Sequence, residues 1–530
     1  MKGKKKICIL IAVIFAAVIS LGSIGYFKSD VYRKKVFKKK LYDASQKTIQ
    51  YYYDSYKSKQ FAGILDWPAL GLYGFGEDVS GKVWTIDGKN GAYWREIQVK
   101  NGDGLSEVKS TDYQRTIIGI TSANKNPRNF GGIDFVKTVE STMLPNGHFA
   151  DSVKDKRTGK PIGEDLINAQ CFGIIALHSA GMPIANRDKA IRWMEKNQHI
   201  DGGFTWDVKD YDDKEDYKKV VSDVDMTAAV LMSMSILKVD KDYPAVKKAL
   251  DFIKKQQEED GGFASWGVEN PESTVWACQA LLMYGENPES KAWEKKKNCN
   301  PVDFLLKYEL PSGAFTHVLS KKDELPVYDN SMTTYEALYG MADLYNCETT
   351  YDKLFKANKG TSSKLLFSDF KEGDYGYKEV VQNSYNYVMD IYSDGTFKPS
   401  KKITKGSLAR YLVNVLDLQS DFYKMYSGDE MKFVNENKKS DVMNIDSDDN
   451  YIELCLHKGL FKGMPELNAE GDKEREIKCD EIISALINGG KLKGKDLNSK
   501  QFASCGFSTN KTADRAECAA ALSRFENLIK

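Results

Sequence analysis

Histidine is scarce in this sequence. Its 530 residues hold five, His148, His178, His199, His317 and His457, and no two stand four apart. That spacing excludes the helical histidine pair of a zinc site. Cysteine is thin as well. Nine are scattered singly, at Cys8, Cys171, Cys278, Cys299, Cys347, Cys455, Cys479, Cys505 and Cys518, with no Cys-x-x-Cys. A disulfide framework is excluded, and several of these positions read as small core residues on apolar helical faces. An excess of charge of either sign is missing too, since 76 Lys plus Arg face 75 Asp plus Glu. No global field therefore draws the chain to nucleic acid. Neither a metal nor a cofactor is expected.

One long apolar run is present. Ile7 to Phe27 follows Lys2, Lys4, Lys5 and Lys6, giving a basic flank and a stretch long enough to span a bilayer. It lacks an Ala-x-Ala site, and no cysteine follows closely enough to carry a lipid. Residues 1–27 are read as a signal peptide or membrane anchor, with the rest of the chain exported to the outer face of the membrane and the cell wall. The basic cluster from Lys28 to Lys40 opposes that orientation under the positive-inside rule.

A unit then recurs. Gln198 to Leu231 runs from an Asp201-Gly202-Gly203-Phe204 turn, through an acidic insert, to Ser222 and Asp223 capping a small-residue helix. Gln257 to Leu282 repeats it with Asp260-Gly261-Gly262-Phe263. Glycines suit such turns because they tolerate backbone angles that other residues resist. Six apolar stretches begin near Asp66, Asp112, Asp165, Asp223, Glu272 and Asp329, with more polar helices between them. Turns at Phe149, Phe204, Phe263 and Phe315 close four of the pairs. Six helical hairpins predict an all-α, closed α6/α6 toroid over residues 28–350, with an open superhelix as the alternative. The acidic insert Asp207–Asp216 lacks calcium-loop spacing and reads as a solvated loop.

These turns, with Gln198 or Gln257 just before and Trp206 or Trp266 just after, resemble the prenyltransferase and squalene-cyclase repeat family. The resemblance covers most of residues 40–350 and is strongest over 140–345. It implies the toroid fold, which hosts more than one activity. Class II cyclases of that family protonate an alkene with Asp-x-Asp-Asp; here Asp223-Val224-Asp225-Met226 lacks the last acid. Asp223 and Asp225 are the catalytic candidates, and helix capping is the plainer role for both. The zinc-binding transferases of the family would need His where Met332-Thr333-Thr334-Tyr335 stands, and their Gly-Cys-Tyr segment is missing. The Cys-Gly-Glu-Gln of thioester toroids is absent too. Tyr73, Phe172, Trp276 and Tyr335 fall on inner-helix stretches, where they line a ligand pocket or pack the core. No acid–base pair for glycan cleavage is identifiable.

Residues 351–366, including Lys353 to Lys364, read as a linker. Beyond it, Ser368-Asp369-Phe370, Asp394-Gly395-Thr396-Phe397-Lys398-Pro399 and Ile403-Thr404-Lys405-Gly406 resemble an S-layer homology module. Weaker copies run from Ser440-Asp441-Val442 to Ile477-Lys478-Cys479-Asp480-Glu481 and around Asp514-Arg515-Ala516-Glu517. The resemblance implies three mainly helical modules over 367–530 that bind secondary cell-wall polysaccharide, an arginine fork holding a carboxylate and an aromatic surface packing the sugar. The motif arginine survives only as Arg515; Lys405 and Cys479 replace it, and Tyr377 stands where tryptophan is common. Tyr377, Lys405 and Arg515 are the polymer-binding candidates. The expectation is thus a non-catalytic surface protein, displaying a ligand-binding toroid and tied to the wall. The alternative is a terpenoid cyclase or prenyltransferase-type enzyme acting on an isoprenoid in the toroid cavity.

Overall fold

Two kinds of helix alternate along the first two thirds of the chain, and composition separates them. The computed structural model describes residues 32–58, 66–208, 221–319, 327–427, 447–468, 472–506 and 510–530. The Ile7–Phe27 run, most of the acidic insert and the Ser440-Asp441-Val442 opening lie outside the described residues. No helix among the described residues is long and apolar enough to cross a membrane. The helices pair in order as α1 (residues 32–57) with α2 (Trp67–Gly74), α3 (Tyr93–Lys100) with α4 (Ser110–Ser122), and α5 (Phe135–Glu140) with α6 (Ile167–Ser179). They continue as α7 (Arg187–Lys196) with α8 (Val224–Ile236), α9 (Pro244–Lys255) with α10 (Pro271–Met283), and α11 (Pro301–Leu306) with α12 (Ser331–Asn346). Odd-numbered helices such as α9 bury one stripe (Val246, Ala249, Phe252, Ile253) and turn Lys247, Asp251, Lys254 and Lys255 to water. Even-numbered helices such as α8, VDMTAAVLMSMSI, are buried nearly all round. A helix without a polar face belongs inside.

The inner helices close on themselves: each packs against the next, and α12 returns to α2. The open superhelix is thereby replaced by the expected ring. Closure is tight because α2 is short and carries Gly71 and Gly74. A Cβ at Gly71 would stand 2.6 Å from Leu338 Cγ, and one at Gly74 would stand 2.5 Å from Ala342 Cβ.

Each aromatic turn fastens an outer helix to the following inner one. The Phe204, Phe263 and Phe315 amides donate to the hydroxyls of Thr227, Thr274 and Thr334, at 2.9, 3.1 and 3.0 Å. Gln257 donates its amide to Gly261 O and Trp293 O, and Gln198 does the same with Gly202 O and Ala245 O. Gly261 has φ +98°, and a Cβ there would meet Asn300 N at 2.3 Å. The turn therefore requires glycine for two separate reasons. A two-residue Trp266-Gly267 hairpin joins strands β1 (Phe263–Ser265) and β2 (Val268–Asn270), which pair antiparallel with Phe263 opposite Asn270.

Residues 351–366 form no linker. Thr350–Ser362 is a helix, α13, with Tyr351 and Leu354 buried. It lies across the C-terminal ends of α2 and α6, where backbone carbonyls have no partner within their own helix. Lys353 Nζ donates to Gly74 O at 3.1 Å, Asn358 Nδ2 to Ser179 O at 2.9 Å and Ser362 Oγ to Ala180 O at 2.6 Å. His178 Nε2 meets Asp352 Oδ1 at 2.9 Å and the His178 ring stacks on Phe355. The polar, lysine-rich composition that suggested a spacer is the outer face of this cap.

The C-terminal region contains α14 (Tyr377–Tyr385), α15 (Lys405–Val415), α16 (Gln419–Ser427), α17 (Asp448–His457), α18 (Cys479–Leu492) and α19 (Arg515–Ile529). The three segments that enter α15, α18 and α19 bind one another in a cycle. Ile403 N donates to Ala513 O, Ala513 N to Ile477 O and Ile477 N to Ile403 O, at 3.0, 2.8 and 2.9 Å. Three modules thus meet on a pseudo-threefold axis. They dock on the ring: Tyr385 Oη donates to Gly181 O, and Arg410 bridges Asp188 of α7 and Asp448 of α17 while lying over Tyr451. A small cleft between ring and modules is lined by Glu140, Met143, Met182, Leu366, Ile391 and Tyr392.

Candidate functional site

With one end of the inner barrel under α13, the chemistry gathers at the other, where the inner helices begin. Capping does not use the acids as the sequence suggested. Asp223 does cap α8, accepting from Met226 N at 2.7 Å. In α10 and α12 the caps are Asn270 and Asn330 instead, accepting from Ser273 N and Thr333 N. Asp225 and Glu272 sit at the second helical position of α8 and α10, and neither of them caps.

Aromatic rings line the same end. Trp67 packs against Phe172 at 5.6 Å and against Tyr335 at 6.2 Å, nearly parallel; Phe172 meets Trp276 edge-on at 5.8 Å. The four rings make an arc from Tyr335 to Trp276, and Glu336 joins its ends by accepting from Trp276 Nε1 at 3.1 Å. Phe172, Trp276 and Tyr335 are therefore brought together, with Trp67 added. Tyr73 is not among them. It lies at the far end of α2 under the α13 cap, with Lys353 Nζ 5.2 Å from its ring. Six positions along a helix carry a side chain about 9 Å along the axis, and the helical turn sends it to another face.

The electrostatics of this end follow from burial. Glu272 is partnered, by His317 Nδ1 at 3.0 Å and by the Thr333 hydroxyl. Asp66 stands near Arg95 and Arg115, at 3.8 and 3.7 Å. Burial raises the Glu336 carboxyl well above the usual range, and the nearby charges of Glu272 and Asp225 add to this; its bonds with Tyr339 and Trp276 oppose it. Burial raises Asp225 also, against the nearby hydroxyls of Ser273 and Ser265. Asp225 Oδ1 is buried, with the Ser265 and Ser273 hydroxyls as its neighbours. Burial pushes Asp223 up to about 6. Carboxyls kept from ionising beside π-faces can donate a proton or receive a cation. Among the described residues no group of three or more His, Cys, Asp or Glu is placed to hold a metal ion.

The three polymer-binding candidates lie inside the modules. Arg515 is 3% exposed, Lys405 1% and Tyr377 8%. The Arg515 fork donates to Phe397 O at 2.9 Å, to Asp390 O and to the Tyr411 hydroxyl, with its guanidinium over Tyr392 and Phe397. Tyr377 Oη donates to Ser363 O at 2.8 Å. Lys405 opens α15 as Arg515 opens α19. Burial leaves little of these three side chains at the surface. An aromatic surface bearing cations does occur next to them: Lys398 Nζ lies 4.1 Å from the Tyr392 ring centre, and Lys401 Nζ is 3.2 Å from Tyr392 Oη.

Sequence reasoning missed Glu336 and Trp67. The available signal for Glu336 was an acid inside a largely apolar inner helix, a signal that Asp343 shares. Trp67 follows Asp66 directly and precedes the Pro68 that starts α2.

Residues 216–300 match the family model of the squalene-hopene cyclase C-terminal domain, and residues 366–409 match that of the S-layer homology domain. No curated protein matches the chain. Among solved structures it is similar to Candida albicans protein geranylgeranyltransferase-I, at 12% identity over 57% of this chain and 93% of that one, with a TM-score of 0.37. It is similar to the type II terpene cyclase MstE from Scytonema, at 12% identity over 60% of this chain and 98% of that one, TM-score 0.36. A protein from Actinoplanes matches at 11% identity over 60% and 99%, TM-score 0.38. Likenesses at this level assign no activity.

Proposed function

We propose that this is an exported surface protein held on secondary cell-wall polysaccharide by residues 367–530, with the toroid displayed as a non-catalytic ligand-binding body. The observation that carries the reading is the S-layer homology match over residues 366–409, continued by the three-way backbone cycle through Ile403, Ile477 and Ala513. With Arg515 and Lys405 buried, the polymer contact is assigned to Tyr392, Lys398 and Lys401. A ring face packs a sugar and two ammonium groups attract an acidic substituent. The full chain should sediment with intact cell walls and stay in solution with walls stripped of their secondary polysaccharide. Equal sedimentation with both would overturn wall attachment. Lys398→Ala with Lys401→Ala should weaken sedimentation several-fold, and more at low salt than at high.

One observation favours the enzymatic alternative: Asp225, in the Asp-x-Asp segment, is a buried carboxyl with a raised pKa close to the aromatic arc. Such a group is suited to protonating an isoprenoid alkene, although Met226 leaves the motif incomplete. Turnover of squalene or a prenyl diphosphate that Asp225→Asn abolishes would establish this reading over the non-catalytic one.

A further inference from the structure

Among the described residues, the charges gathered where the inner helices begin do not balance. Asp66, Asp112, Asp225, Glu272 and Glu336 face Arg95, Arg115 and His317 there. Each basic group is already engaged. Arg115 lies 3.7 Å from Asp66 and 3.5 Å from Asp112, and His317 is 3.0 Å from Glu272. Arg95 donates to Thr116 Oγ1 and Gly104 O and stands beside Asp66. Among the described residues no basic side chain forms an ion pair with Asp225 or Glu336. Glu336 is bonded to Trp276, and Asp225, whose charge reaches Glu336, lies among the Ser265 and Ser273 hydroxyls.

We propose that the aromatic arc of Trp67, Phe172, Trp276 and Tyr335 receives an organic cation, an alkylated or quaternary ammonium group, with Asp225 and Glu336 as its counter-charges. The inference rests on reading this end of the toroid as a ligand pocket and names what the pocket takes. Other ligand classes fit less well. An anion such as a diphosphate would meet carboxyls with no basic partner to spare among the described residues. A hard metal ion needs several oxygen ligands converging on one point, and no such group occurs among the described residues. A neutral apolar ligand would offer no opposite charge to the Asp225 and Glu336 carboxyls. A weakly hydrated ammonium answers both features, since ring faces attract it through their quadrupoles and the acids supply the opposite charge.

The test uses the full chain and two probes of one shape. Choline carries the charge; 3,3-dimethyl-1-butanol replaces its nitrogen with carbon. Calorimetric titration should show saturable choline binding at least roughly tenfold tighter than binding of the alcohol. Tyr335→Leu removes a half-buried ring without touching the Trp276–Glu336 bond, and Asp225→Asn removes a charge while keeping its shape. Each should weaken choline several-fold and leave the melting temperature and wall sedimentation near wild type. Equal binding of the two probes would overturn the cation while keeping the pocket. Binding of neither probe would overturn both, with wall attachment still judged by sedimentation. Choline binding unchanged in both variants would place it elsewhere and overturn the proposal.

Discussion

A residue's chemistry and its position can point in different directions, and Arg515 shows which prevails. Its guanidinium is the kind of group that grips an acidic sugar. Its place as the first residue of α19 turns it inward, where it answers two carbonyls and a tyrosine hydroxyl from the first module. Arg515→Ala should therefore cost stability, on the order of 3 kcal/mol, because it leaves those acceptors buried and unpaired. Denaturant unfolding measures the loss. At temperatures where the variant stays folded it should still sediment with walls. Undiminished stability with lost sedimentation would return Arg515 to the role of ligand. Glu336 is the converse case. Nothing in its spacing marked it, because its importance arises from Trp276, a residue of another helix 60 positions away.

At the level of elements, much of the ring could be read directly. The aromatic turns, the six apolar stretches and their order all recur in the structure, because each is a local matter of periodicity and turn chemistry. What α13 covers could not be read, since its role depends on carbonyl ends contributed by α2 and α6. The acids at the inner-helix starts were visible, but in α10 and α12 the caps are asparagines, Asn270 two residues before Glu272 and Asn330 one residue after Asp329. Two substitutions test these junctions. Gly71→Val places a branched side chain where a single Cβ already meets Leu338 at 2.6 Å; a loss of about 1–3 kcal/mol is expected from overpacking at the ring closure. His178→Ala removes the bond to Asp352 and the stack on Phe355, with an expected loss of about 1–2 kcal/mol. Thermal melts of both variants check these magnitudes.

The whole molecule carries an unusual number of buried carboxyls. Burial raises Glu140, Glu289 and Asp343 to about 7 and Asp223 to about 6. For an acid raised in the folded state, the folded form holds the proton more tightly. The stabilisation is fully present below the unfolded value near 4 and is lost as pH rises through 6 to 7. His148, lowered to about 4 by burial, works in the opposite sense between 4 and 6.5, but Glu336 and Asp225, also raised by burial, add to the four acids against it. Below that window other acids take over. Burial alone would raise Asp352, but the bond and charge of His178 outweigh it and hold it low, and the Arg33 hydrogen bond holds Glu294 low. Their contribution disappears as pH falls through their depressed values. The melting temperature should peak near pH 5 and be lower at both pH 8 and pH 3, as scanning calorimetry at matched ionic strength would show. The modules raise a different matter. A linear row of repeats can gain or shed a terminal copy, because every interior boundary is alike. The cycle through Ile403, Ile477 and Ala513 has no terminus at which to add or subtract. Duplication or deletion of one copy would leave a backbone donor and acceptor without a mate, so the arrangement resists a change of copy number even where motif positions are replaced, as by Lys405 and Cys479.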